Sequence, residues 1–322
     1  MKKGITKILS ACVFAFVVFL AAGTQSKAAV NMGVKQTGAG SSYVDLAWNA
    51  QLGAGHYHTQ FSQDGKNWID MEYSSSPSDS VYNLTQGASY YARVVAYNGS
   101  HYSGTHVMVG VSETAIVSTK PTEVTGLTQT AAGVNSVSMS WNASAGAASY
   151  VIYGYINYNW TQIGTSATNS ATITGVAATT STKFSVAAVK NVTGGTVTGD
   201  QCSGVEMKAI PIKVSRIAMQ YYWDSLKEAK YIWTDVNNAD GYQYEVKSAN
   251  GKKTYFRATS TSSYTYVKPF PRGIFVKARV RAYVTVGNKV YYGAWSPYTY
   301  HASSKKVTAK RSSNGKKIYL KW

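Results

Sequence analysis

Four short stretches alternate an apolar residue with a less apolar one and close on tryptophan: Val44-Leu46-Trp48, Val137-Met139-Trp141, Ala229-Tyr231-Trp233 and Ile318-Leu320-Trp322. Period-two alternation predicts half-buried β-strands. The tryptophans lie 93, 92 and 89 residues apart, so one module recurs along the chain. A tyrosine follows each of the first three tryptophans at nine residues (Tyr57, Tyr150, Tyr242), and a second apolar ladder begins at Tyr90, Phe184 and Val276. These nine positions, the three tryptophans included, are read as core.

Runs rich in Val, Tyr, Thr and Ile alternate with Gly, Asn and Ser clusters, which predicts an all-β chain. Only 223–229 has mild helical character, one or two turns in a loop. Asp64-Gly65 and Asn250-Gly251 occupy equivalent places between the tyrosine strand and the next strand, where a hairpin needs φ > 0. Trp68, Trp160 and Tyr255 follow as a second aromatic landmark. Proline at Pro121 and Pro211 marks the links between modules. The expected units are 29–119, 120–210 and 211–303, each near the ~100 residues of a two-sheet sandwich.

Trp48, Tyr57 and the corner Leu84-Thr85-Gln86-Gly87-Ala88-Ser89-Tyr90, followed by Ala92, Val94 and Ala96, resemble the fibronectin type III family. Trp141, Tyr150, Phe184, Val186 and Ala188 repeat the pattern, as do Trp233, Tyr242, Val276, Ala278, Val280 and Ala282, with Gly293-Ala294-Trp295-Ser296-Pro297 like that family's approach to its last strand. The resemblance implies a tandem array of three immunoglobulin-like (fibronectin type III) β-sandwiches. A corner tyrosine ordinarily bonds its hydroxyl to the upstream backbone. Phe184 and Val276 carry no hydroxyl, so looser corners are expected in the second and third repeats.

Residues 1–28 read as a secretory signal: Lys2, Lys3 and Lys7 precede an apolar run, and Ser26-Lys27-Ala28 offers small residues for cleavage. That run is too short for a bilayer span of ~20 residues. An exported bacterial protein is expected, with Cys202 as the one mature cysteine and no disulfide. In the register of the repeats Cys202 stands where Tyr102 stands in the first, in a buried or half-buried role.

Net charge is +18 over 322 residues, and +16 of it falls within 211–322, against −3 for 29–119 and +1 for 120–210. Such asymmetry speaks to partners. Lys277, Arg279 and Arg281 alternate with the inward Ala278, Val280 and Ala282, so they line one outer face. Lys252, Lys253 and Arg257 come from the neighbouring strand region and Lys289 from the following hairpin. These seven residues form the candidate polyanion site. Its expected partners are an anionic cell-wall polymer, an acidic polysaccharide or another surface protein, with nucleic acid ranking low.

Aromatics out of phase with the core, Tyr91, Tyr97, Tyr153, Tyr155 and Tyr158, could present a stacking face. His56 and His58 flank Tyr57 on the outer side of their strand, with His101 and His106 in a nearby loop. No Cys, Asp or Glu completes a known ligand spacing, so solvent-facing histidines and no metal are expected, and no cofactor. No catalytic motif stands out, and a non-enzymatic spacer or adhesion array is the resulting expectation, with the accessory region of a larger polysaccharide-degrading enzyme as the alternative. Residues 304–322, basic and ending on Trp322, read as the truncated start of a fourth repeat.

Overall fold

The computed structural model describes residues 29–102, 106–303 and 308–321. The expected signal segment 1–28 and Trp322 lie outside the described residues.

The first repeat comprises β1 (Lys35–Ala39), β2 (Val44–Ala47), β3 (His56–Ser62), β4 (Ile69–Ser74), β5 (Ser78–Val81), β6 (Ser89–Tyr97), β7 (Met108–Val111) and β8 (Ala115–Ser118). The second comprises β9 (Thr128–Gly133), β10 (Ser136–Ser140), β11 (Ser149–Ile156), β12 (Asn159–Ser166), β13 (Ser170–Thr174), β14 (Thr182–Val192), β15 (Gly195–Thr198) and β16 (Val205–Met207). The third comprises β17 (Ile217–Trp223), β18 (Glu228–Trp233), β19 (Gly241–Ser248), β20 (Thr254–Ser260), β21 (Tyr264–Val267), β22 (Phe275–Val286), β23 (Lys289–Tyr292) and β24 (Thr299–Ala302). β25 (Thr308–Arg311) and β26 (Ile318–Lys321) form a separate hairpin.

In each repeat a three-stranded antiparallel sheet faces a larger one. The orders are β1-β2-β5 against β4-β3-β6-β7, β9-β10-β13 against β12-β11-β14-β15, and β17-β18-β21 against β20-β19-β22-β23, with β8, β16 and β24 pairing to the free ends of β6, β14 and β22. The chain is thus a tandem array of three fibronectin type III-like β-sandwiches.

The period-two pattern places Val44, Leu46 and Trp48 in one core, Val137, Met139 and Trp141 in the next, and Ala229, Tyr231 and Trp233 in the third. Each tryptophan meets the tyrosine nine residues on, across the core in the facing sheet, at ring separations of 5.4, 5.3 and 5.5 Å. Those buried tyrosines need a polar partner for the hydroxyl. Tyr57, Tyr150 and Tyr242 each accept the amide of a residue six positions upstream, Gln51, Ser144 and Val236, at 3.1, 3.0 and 2.8 Å. One device therefore both fills the core and fixes the preceding loop.

Tyr90 accepts the Thr85 amide at 3.0 Å, closing its corner, while Phe184 and Val276 are buried in apolar surroundings. The third corner is tied differently: Phe270 donates its amide to Lys227 O at 2.6 Å and packs between Tyr222 and Tyr231. The segment 223–229 forms no helix. Asp224–Lys227 is the turn of the β17–β18 hairpin, which pairs Tyr222 with Ala229 and Trp223 with Glu228.

Cys202 is buried, but its counterpart is Ser112 and not Tyr102. The amides of Ser112, Cys202 and Ser296 donate to Val94, Val186 and Val280, and their side chains accept the amides of those same residues. From Val94 to Ser112 is 18 positions, against 16 from Val186 to Cys202 and from Val280 to Ser296, so the longer β6–β7 connection shifts the register of the first repeat by two residues.

Adjacent repeats touch through specific contacts. Thr193 and Ile116 exchange hydrogen bonds, buried Lys190 donates to Gly87 O, and Lys208 pairs with Asp240 at 2.6 Å.

Candidate functional site

The outer face of the larger sheet in the third repeat is built by register. β19 turns Tyr242, Tyr244 and Val246 into the core, so Gln243, Glu245 and Lys247 face outward, directly beside Arg281, Arg279 and Lys277 of β22. On the other flank Arg257 of β20 pairs with Glu245. The expected cations Lys277, Arg279, Arg281 and Arg257 are brought together.

They are organised around a carboxylate that the sequence reading passed over. Glu245 is fully buried and receives Arg279 Nε at 3.0 Å, Arg257 Nε at 2.9 Å and Lys247 Nζ at 3.2 Å. Burial opposes its ionisation, but the hydrogen bonds from Arg257 and Lys247 and the charge of Arg279 prevail and hold its carboxyl below the usual range. Three cations pair with this one carboxylate, and Lys277 and Arg281 stand on either side of Arg279 in β22, so the face keeps a positive surplus.

Aromatic rings separate the cations. Lys277 lies over Tyr298 (4.6 Å), Arg279 over Trp295 (4.3 Å) and Tyr298 (4.8 Å), and Arg281 over Tyr292 (3.8 Å) and Trp295 (4.5 Å). Stacking suits the planar, weakly hydrated guanidinium, and it holds like charges at fixed spacing. Gln243 Oε1 accepts from Arg281 Nε at 2.9 Å, completing the second rung. The alternation Gln243, Glu245, Lys247 and the aromatics Trp295 and Tyr298 were the available signals.

The remaining expected residues lie at the rim. Lys252 and Lys253 are exposed on the β19–β20 turn, with Lys253 over Tyr255 at 5.1 Å, and Lys277 reaches towards that turn at Gly251. Lys289 is exposed at the opposite end of β22, over Tyr291 at 5.0 Å. It does not join the cluster.

Among the described residues the other repeats lack this ladder. The first has a single rung, Arg93 over Trp68 at 4.1 Å with Nε bonded to Gln60. In the second the outward Ser185, Ala187 and Val189 are small and buried, and Tyr155 meets Trp160 edge-on at 5.3 Å, with Tyr158 exposed beyond them in the hairpin turn.

The histidines depart from expectation. His56 and His58 do lie on the outer side of β3, but the β6–β7 loop folds over them, and His56 is only 2% exposed. No helix among the described residues is long and apolar enough to cross a membrane.

No family model matches the chain. A stretch of 162 residues, 48% of the chain, is 33% identical to chitinase A1 of Niallia circulans. That match spans 22% of the chitinase's length. Among solved structures, the FN1-FN3 domains of chicken CNTN1 align over 85% of this chain and 98% of theirs, at 15% identity and a TM-score of 0.34.

Proposed function

We propose that this is an exported, non-catalytic array whose third repeat holds an anionic polymer along the outer face of β20-β19-β22-β23. The observation that carries the reading is the charge imbalance of that face: Lys247, Arg257 and Arg279 pair with the one carboxylate of Glu245, and Lys277 and Arg281 flank Arg279 along β22. Polymeric carboxylates, phosphates or sulfates would meet donors already fixed in direction, so little side-chain entropy is lost on binding. Exposed Lys252 and Lys253 extend the positive strip to one edge. The first and second repeats act as spacers.

A second reading is favoured by the 33% identity to chitinase A1: the chain serves as an accessory region beside a polysaccharide-degrading activity. The two readings separate in one experiment. The mature chain is incubated with insoluble chitin and with cell walls carrying or stripped of anionic polymer. Capture by the charged walls alone, abolished by salt, supports the polyanion reading. Equal capture by chitin and by stripped walls supports the accessory reading and overturns the first.

A further inference from the structure

Four of the five histidines in the chain converge at one end of the first repeat. His56 and His58 point outward from β3, and the loop 98–107 brings His101 and His106 over them. The ring of His56 lies 5.3, 5.5 and 5.2 Å from those of His58, His101 and His106. One ring nitrogen from each of His56, His58 and His101 lies within 4.8 Å of those of the other two.

Hydrogen bonding within the cluster leaves one nitrogen unexplained. His58 Nε2 and His101 Nδ1 are 3.2 Å apart and satisfy each other. His56 Nδ1 lies 3.1 Å from Gly99 O, and since a carbonyl only accepts, Nδ1 carries the proton. The tautomer then puts a lone pair on His56 Nε2, which is buried and has no hydrogen-bond partner among the described residues. A backbone carbonyl that fixes one imidazole nitrogen and frees the other is how proteins orient a metal-ligating histidine.

We propose that His56, His58 and His101 bind one divalent transition-metal ion of the Zn²⁺ or Cu²⁺ type. Imidazole is the ligand class these ions favour. In a tetrahedral site with Zn–N near 2.05 Å the nitrogens stand about 3.3 Å apart, so the 3.2 Å between His58 Nε2 and His101 Nδ1 matches an edge of that polyhedron once the proton they share moves to the other nitrogen of its ring. Rotation of the half-exposed His58 and His101 rings, by about 1.5 Å at the nitrogens, closes the wider edges.

The surroundings suit a cation. Asp70 and Glu72 of β4 line the same cavity as His58, Tyr73 and His101, and Tyr73 stacks flat on His101 at 4.2 Å. The His106 ring stands beside the three, 5.2 Å from that of His56 and 6.5 Å from that of His58. Gly55 makes the arrangement feasible, because a Cβ there would stand 2.1 Å from Gly99 O and push the loop away. The bound ion would pin this loop to β3, a stapling role independent of the polyanion face.

The test is calorimetric titration of the untagged, chelator-treated mature chain with ZnCl₂, with visible absorption on Co²⁺ substitution and Mg²⁺ as the reference ion. The expected result is one equivalent bound, four-coordinate Co²⁺ bands, and a higher melting temperature for the first repeat alone. His58→Gln and His101→Gln should each weaken binding by roughly tenfold or more, while His301→Gln, in the third repeat, changes nothing. Both cluster variants replace half-exposed rings, and an unchanged far-UV spectrum reports that they fold. Absence of stoichiometric Zn²⁺ binding, or equal affinity in the wild type and in His58→Gln/His101→Gln, overturns the proposal.

Discussion

Arg279 donates Nε–H to buried Glu245 at 3.0 Å while its guanidinium lies 4.3 Å above the Trp295 ring. The carboxylate sets the direction of the arginine, and the ring sets its height above the sheet. Removing the carboxylate should therefore affect stability more than it affects total charge. Glu245→Gln leaves Arg257, Arg279 and Lys247 facing one another without a counter-ion. Breaking a fully buried pair costs about 3–5 kcal/mol, and because these cations remain partly in solvent we expect about 1–3 kcal/mol here. Differential scanning calorimetry should show the loss in the third repeat's transition and in no other.

Acid should weaken the same repeat. The Glu245 carboxyl is held below its ordinary value near 4.5, so it binds protons more readily in the unfolded chain. Its stabilisation is complete above that value and is lost as pH falls through the lower, folded value. Burial also lowers the pKa of His301, which adds a loss of the same sign beginning below 6.5. A pH series of melting temperatures should fall in two stages in the wild type, and only the upper stage should survive in Glu245→Gln.

The repeated tryptophans act within their own modules. Trp48 and Trp141 each pack on one tyrosine, Trp233 on Tyr242 and Tyr244, and each on one apolar cluster, with no acceptor for the indole N–H among the described residues. Truncation to Ala should cost about 3–5 kcal/mol. Chemical denaturation followed by calorimetry should assign each loss to one repeat.

Cys202 fills a position that the other repeats give to serine. Its Sγ accepts the Val186 amide at 3.2 Å, as the hydroxyls of Ser112 and Ser296 accept Val94 and Val280 at 2.9 and 3.0 Å. Cys202→Ser should stay within about 1 kcal/mol of wild type, and Cys202→Val, which strands the amide, should cost about 1–2 kcal/mol more. A thiol reagent should modify the native protein only at the rate of unfolding.

The strand class, the core landmarks and the alternation of cations in β22 were legible because each follows from period-two patterning within one strand. Glu245 was not, since its meaning depends on which residues β19 places opposite it, a register fixed by the whole sheet. Two further features depend on contacts between strands and loops. Cys202 is matched to Ser112 by the hydrogen bonds that both make to the neighbouring strand, which spacing along the chain does not show, and the β6–β7 loop buries His56, which local pattern reads as solvent-facing.

The most direct test of the polyanion face is elution of the full mature chain from immobilised heparin in a salt gradient. It is compared with Lys252→Gln/Lys253→Gln/Lys277→Gln, whose lysines make no bond to Glu245, and with the tail variant Lys310→Gln/Lys316→Gln/Lys317→Gln. Each lysine that contacts the polymer releases counter-ions on binding, so its loss should lower the salt needed for elution. The account predicts that the face variant elutes at clearly lower salt than both the wild type and the tail variant. Co-elution of the face variant with the wild type would contradict it.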